Sequence, residues 1–354
     1  MVTFGDRCVG DKFPCFITFE AGPTHNGLES AKRLVSLAAD AGADAIKFQM
    51  FDPDRLVSDR KLPFTYEVLA DKETGKTETI SEPLYDIMCR RAMTKAEWKE
   101  VKQHCDSLGL AFFATIGFDE EIDLLEELNC DSIKIASYDV NHIPLLKRAA
   151  RTGMCLQLDT GSSSLGEIEV AVDVIRKEGN ENIIIHQCPS GYPARLESIN
   201  LNTIPTLKRM FQYPIAFSDH TPGWDMDVAA VALGTNLVEK TITEDRTTRS
   251  VEHIMSIEPQ DMKVFIKIIR EVEVALGESR RILTDEERMK RSTWRRSMHL
   301  TRKIKAGVEL TEDIIEFRRP GFGIQPDVYL EFLGKIINRD MVAGEMLKLE
   351  DFLG

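Results

Sequence analysis

An eightfold β/α barrel followed by a small β-rich module is the architecture that this 354-residue sequence predicts. Three observations predict it. Short, almost wholly apolar runs alternate with longer amphipathic stretches over about the first 276 residues, and the runs number eight. Polar residues gather at the C-terminal ends of those runs. Strands covered by helices read as continuous apolar segments, and eight strand–helix units of this total length suit a closed barrel, whose chemistry lies where the strands end.

The strands are CFITFE (15–20), DAIKFQ (44–49), AFFAT (111–115), SIKIAS (132–137), MCLQLD (154–159), NIIIHQ (182–187), PIAFS (214–218) and NLVEKT (236–241). Between them, residues 29–40 place Ala31, Leu34, Val35 and Ala38 at helical spacing, with Gly42 following as a C-cap. Residues 164–178 open with Ser164 and Glu167 at capping-box spacing. Further helical patterns cover 95–108, 119–128, 143–151, 200–210, 224–233 and 259–276. A doubly wound open sheet is the competing fold, but it needs fewer strands, and no G-x-G-x-x-G turn follows the first one.

The barrel is expected over residues 1–278 and a charged linker or exposed helix over 279–292, where RRILTDEERMKR lies. Residues 293–354 form the β-rich module. Within it, KIKAGVELTEDI (303–314) and DMVAGEMLKLED (340–351) share an apolar-x-Ala-Gly-x-x-Leu pattern, with Gly307 and Gly344 at corresponding places. RRPGFGIQP (318–326) separates the two, and its prolines and glycines dictate an ordered loop.

The bulk properties narrow the function. A composition 43% hydrophobic and 29% charged is that of a globular chain with a real core, and a formal net charge of -13 disfavours nucleic acid and membrane surfaces, both anionic. The opening MVTFGDRCVGDKFPCF predicts neither a signal peptide nor a transmembrane helix. Seven scattered cysteines with no C-x-x-C pair suit reduced thiols, so a cytoplasmic location is expected.

Polar residues at the strand ends include Glu20, Lys47, Gln49, Thr115, Lys134, Ser137, Asp159, Thr160, Gln187, Ser218 and His220. A lysine inside an apolar strand destabilises unless it is paired or serves an anion. Lys47 and Lys134 interrupt their strands at comparable depth. Pairing with neighbouring carboxylates is one reading; two lysines ending nearby strands beside Ser137 and Ser218 favour a phosphate or carboxylate site. SDHTPGWD (218–225) opens a helix after the seventh strand, where barrels often hold phosphate. His25 in GPTHNG is a ligand, a base or a surface residue, whereas His104, His142 and His299 read as structural or surface. His220, with Glu20 and Asp219 as available carboxylates, suits a divalent metal. His186 alternates with Gln187 and is expected to point away from the barrel interior.

These residues resemble the N-acetylneuraminate (sialic acid) synthase family. The likeness runs through FEAGPTHNG, DAIKFQ, SIKIASYDVNHIPLL, SGYPARLESINL, FSDHTPGWD, AAVALGTNLVEK and SIEP, and ends in an antifreeze-like (SAF) module with RRPGFGI and GKIINRD. The resemblance implies a TIM barrel plus SAF domain that condenses phosphoenolpyruvate with an N-acyl hexosamine-type aldose, giving a nine-carbon α-keto acid and phosphate. It further implies a divalent metal, Mn or Mg, and a homodimer in which each C-terminal domain caps the partner's site. On this resemblance Lys47, Thr115, Lys134, Ser137, Ser190 and Ser218 hold phosphoenolpyruvate, and Asp159 is a further substrate-binding residue. Glu20, Gln49, Tyr192 and Glu252 face the sugar, Arg319 reaches the partner's sugar site, and His220 binds metal.

The chain departs from the family pattern in three places. Glu239-Lys240-Thr241 stands where Glu-Lys-His is usual, so the second metal ligand is missing, and His253 either supplies the substitute nitrogen or is structural. Asp159-Thr160-Gly161-Ser162 replaces Ser-Thr-Gly-Met, and Ser250-Val251-Glu252-His253 replaces the Gly-x-Asp-His turn. Two other functions compete: a Schiff-base aldolase acting on pyruvate through Lys47, and a catalytically weakened sugar-phosphate-binding protein.

Overall fold

The computed structural model describes residues 1–352, and the chain divides into two compact units, Met1–Gly277 and Glu278–Gly354. The first opens with an antiparallel hairpin of β1 (Val2–Phe4) and β2 (Arg7–Val9). The barrel starts with β3 (Phe16–Glu20) and β4 (Ala45–Gln49). A second hairpin, β5 (Pro63–Asp71) and β6 (Lys76–Pro83), interrupts it and leads into a short helix, Leu84–Cys89. The barrel then resumes with β7 (Ala111–Ile116), β8 (Ser132–Ile135), β9 (Cys155–Asp159), β10 (Ile183–Gln187), β11 (Ile215–Asp219) and β12 (Leu237–Thr241). These eight strands close in parallel, with β12 returning to β3 through the pairing of Thr241 with Glu20.

Local sequence accounts for the outer helices. Ser164 and Glu167 close a reciprocal capping box at the start of Leu165–Lys177, satisfying N–H groups that a helix end leaves orphaned. Leu28–Ala41 buries Ala31, Leu34, Val35 and Ala38 and ends at Gly42 in the left-handed conformation, as its spacing predicts. The faces so buried merge with the outer faces of the strands into one core that includes Ile17, Phe19, Ile46, Phe48, Phe112 and Ile133. The inner faces form a separate cluster. Phe16, Ala45, Phe113, Cys155, Ile184, Ala216 and Leu237 fill the lower lumen, and Val2, Phe4 and Val9 of the first hairpin plug it from below.

The second unit contains a helix, Asp285–Trp294, and an antiparallel pair, β13 (Ser297–Leu300) with β14 (Ile315–Arg318). Its repeated segments lie against each other: Ile304 bridges Met341, and both side chains join Met298, Leu310, Ile337 and Leu347 in a compact core. Gly307 and Gly344 both adopt positive φ, +92° and +83°, which explains why the repeat places glycine at that turn. All seven cysteines are free, and no helix among the described residues is long and apolar enough to cross a membrane.

Candidate active site

Above the plugged floor the same strands turn polar. Side chains on a strand alternate between faces, so residues two apart share one. Two positions beyond the apolar layer, Ala45 gives way to Lys47, Cys155 to Gln157, Ile184 to His186, Ala216 to Ser218 and Leu237 to Glu239. His186 therefore points into the lumen, contrary to the orientation its sequence suggested. Gln187 is the outward residue and donates to the Ile199 carbonyl at 2.8 Å.

A continuous polar chain crosses the barrel. Gln157 donates to Ser132 Oγ at 2.9 Å, and its carbonyl accepts from His186 Nε2 at 2.9 Å. That leaves His186 Nδ1 as the acceptor for Lys134 Nζ at 3.1 Å; burial, with Lys134 beside it, lowers the imidazole's pKa to about 3 and keeps it neutral. Ser218 donates to Asp159 Oδ1 at 3.0 Å. Lys134 also reaches Asp159 at 3.0 Å and Glu239 Oε2 at 2.7 Å, while Lys47 reaches Glu239 Oε1 at 2.8 Å and ion-pairs with Glu20. One carboxylate thus bridges the two lysines, fixing both amines in one mouth.

The mouth opens into a cavity of about 290 Å³ lined by Glu20, Lys47, Gln49, Thr115, Ser137, Asp159, Tyr192, His220 and Glu252. Lys134 and Ser218 lie just beneath, bonded to its wall. Two expected residues fall elsewhere. Ser190 pairs with Ser162 Oγ at 2.8 Å in a neighbouring hydroxyl-rich cleft. His253 binds Thr243 Oγ1 through Nδ1 at 2.7 Å and does not line the cavity. Arg319 belongs to the second unit, where it is exposed. His25 is buried edge-on against Phe48 and Trp98 with neither ring nitrogen hydrogen-bonded, so it is not a surface residue.

Four titratable cavity residues escaped the sequence reading: Glu239, Arg91, Tyr138 and Cys188. For Glu239 a signal existed, since a Glu–Lys pair inside an apolar strand must send one charge inward. Lys240 is the outward one, ion-paired with Asp219 and lying 3.6 Å from Asp227. That pairing also removes Asp219 from the mouth, where it was expected beside His220. Arg91 carries no comparable signal, because it sits in a connection rather than on a strand.

Burial pulls Lys47 down, but Glu20 and Glu239 outweigh it and hold the ammonium well above the usual lysine range. Burial raises Glu239 too, yet Lys134 and Lys47 reverse this and leave its carboxyl below the usual range. Glu252 has no such partner: burial, reinforced by Glu20, pushes it up to about 8, so it carries a proton at neutral pH. The residues do not fit the expected metal shell. His220 donates Nδ1–H to the Pro189 carbonyl at 2.9 Å, which leaves Nε2 as one free donor, but the expected second ligand is missing: His253 is committed to Thr243, and Glu20, Asp159 and Glu239 are ion-paired with lysines. No group of three His, Cys, Asp or Glu residues among those described is arranged to hold a metal ion.

Comparison with known proteins fits this geometry. Residues 34–281 match the NeuB family and residues 295–353 match the SAF domain. An uncharacterized protein of Methanocaldococcus jannaschii, MJ1065, is 35% identical over 100% of this chain and 99% of its own. The N,N'-diacetyllegionaminic acid synthase of Campylobacter jejuni is 33% identical over 94% of this chain and 98% of its own. The crystal structure of the N-acetylneuraminic acid synthetase of Leptospira borgpetersenii, in complex with citrate, superposes with a TM-score of 0.71 at 30% identity, covering 82% of this chain and 94% of that one.

Proposed function

Because this chain belongs to the NeuB family, we propose that its barrel condenses phosphoenolpyruvate with an N-acylated amino-sugar aldehyde, forming a nine-carbon α-keto acid and inorganic phosphate. The observation that carries this reading is the shared Glu239, which holds Lys47 and Lys134 together under the cavity. Lys134, Lys47, Ser218, Thr115 and Ser137 bind the enol phosphate; Gln49, Tyr192 and Glu252 face the aldehyde substrate. Held at attack distance, C3 of the enol phosphate bonds to the aldehyde carbon, and the aldehyde oxygen takes a proton. Glu252, protonated at neutral pH and lining the cavity, supplies that proton. Water adds to the cationic C2 and gives one proton to Glu20; the C2–O bond to phosphate then breaks, and the remaining hydroxyl passes its proton to the departing phosphate as the C2 carbonyl forms.

No step runs through a metal, since the donor set does not fit one. The aldolase reading loses ground on charge: a Schiff base needs a neutral amine, whereas Lys47 is paired with Glu20 and Glu239. A homodimer with Arg319 capping the partner's sugar belongs to the same proposal.

Phosphate release from phosphoenolpyruvate, measured with a panel of N-acyl hexosamines in EDTA and in added Mn, tests the reading. Turnover with at least one aldehyde is expected, and Arg319→Ala is expected to raise the sugar's KM while leaving that of phosphoenolpyruvate unchanged. Absence of turnover throughout would favour the binding-protein reading, and borohydride-trapped pyruvate on lysine would favour the aldolase. A strict Mn requirement would mean that a metal shell forms from groups other than those gathered here.

A further inference from the structure

The cavity holds one cation whose charge is not spent. Arg91 is 4% exposed and lines the cavity, yet no carboxylate lies within 4.0 Å of it among the described residues. Its contacts are to the Ile87 carbonyl at 3.4 Å, to Met88 Sδ at 3.8 Å and to the Phe51 ring, whose centroid lies 6.0 Å from the guanidinium carbon, all weak. Lys47 and Lys134 are neutralised by Glu20, Glu239 and Asp159, and Arg90 next door is paired with Glu82. Glu252 is the first acidic group Arg91 senses, but that carboxyl is itself protonated at neutral pH. A guanidinium does not escape by losing its proton. A charge left buried and unpaired is strongly destabilising.

The surroundings say what this charge is for. Arg91 follows the helix Leu84–Cys89, outside the barrel strands, and shares its part of the cavity with Phe64, Ile87, Met88 and Val251. The planar fork of a guanidinium matches the two oxygens of a carboxylate or phosphate, and apolar walls strengthen such a contact. The groups given above to phosphoenolpyruvate all come from strands or their ends, whereas Arg91 stands with Glu252 on the sugar side. We propose that Arg91 is a specificity-determining residue that binds an oxyanion on the aldehyde substrate, so that the enzyme prefers an aldose bearing a phosphate ester or a carboxylate over its neutral counterpart. This inference rests on the condensation reading for the identity of the substrate, but the anion site itself does not.

Isothermal titration with N-acetylmannosamine, its 6-phosphate and its 6-carboxylate, in the absence of phosphoenolpyruvate, tests it directly; the tighter of the two anionic probes identifies the oxyanion. The wild-type protein is expected to bind at least one anionic probe 30-fold or more tighter than the neutral sugar. Arg91→Met should erase that difference while shifting phosphoenolpyruvate affinity less than threefold. Arg91→Lys, which keeps the charge and loses the fork, should lie between, and it preserves the comparison if Arg91→Met folds poorly. Equal binding of neutral and anionic sugars to the wild type, or a loss of phosphoenolpyruvate affinity larger than that of the anionic sugar, overturns the assignment. Consumption of phosphoenolpyruvate, followed with the same three sugars, separates the two ideas. Arg91-dependent anion binding without consumption would leave the anion site standing and remove the condensation.

Discussion

The floor and the mouth of the barrel are built from the same strands, two residues apart, and they obey different physics. Leu237 lies in the floor, where Phe16, Ala216 and Ile184 exclude water and the hairpin carrying Phe4 seals the bottom. Glu239, one strand period later, sits in a mouth where ammonium and carboxylate groups satisfy one another. Apolar burial is non-directional and survives small misplacements. A buried ion network survives only when every member is present. The comparison teaches that stability is assured by the floor, which leaves the mouth free to carry costly charge for chemistry.

Removing the member with most partners should break that contrast most severely. Lys134→Ala leaves Glu239 and Asp159 without their shared ammonium, so unfolding free energy in urea is expected to fall by about 3–5 kcal/mol, and phosphoenolpyruvate binding should be lost. Adding Glu239→Gln should recover part of the stability and none of the binding. Near-normal phosphoenolpyruvate affinity in Lys134→Ala would dismantle the site described here.

A floor substitution should do the reverse. Leu237→Ala opens a cavity in the apolar layer and is expected to cost about 2–5 kcal/mol in the same urea titration. Substrate half-saturation should stay within about threefold. A larger change in KM than in stability would show that floor and mouth are not separable.

A third contrast concerns a proton. Glu252 has its folded pKa raised from an ordinary 4.5 to about 8. The folded state therefore holds a proton that the unfolded state releases, so this group's contribution to stability declines as pH rises from about 4.5 to 8. Activity should fall as pH passes about 8, when the proton donor ionises. Glu252→Gln should remove that alkaline limb and lower the neutral-pH rate by about 10²–10⁴-fold. An unchanged alkaline limb in the variant would assign the proton to another group.

Much of this was legible before any coordinates. The eight apolar runs, the helices between them and the capping box at Ser164 follow from periodicity and short-range hydrogen-bonding rules, which act within one turn or one strand. The inward set of polar strand-end residues was largely legible for the same reason: a lysine in an apolar run has few places to go. His186 was misassigned because a strand covered on both faces reads as unbroken apolar sequence, so its parity is not written in the run. Ser190 and His253 were displaced by local partners, Ser162 and Thr243, that only folding brings near.

The amino-acid sequence by itself determined the barrel, its appended module and which strands end in charge, because those depend on patterns a few residues long. Only the tertiary structure decided that Glu239 joins two lysines from strands β4 and β8, and that Arg91 reaches the same cavity unpaired. Barrel closure sets these distances across more than a hundred residues of chain, and no local rule carries that information.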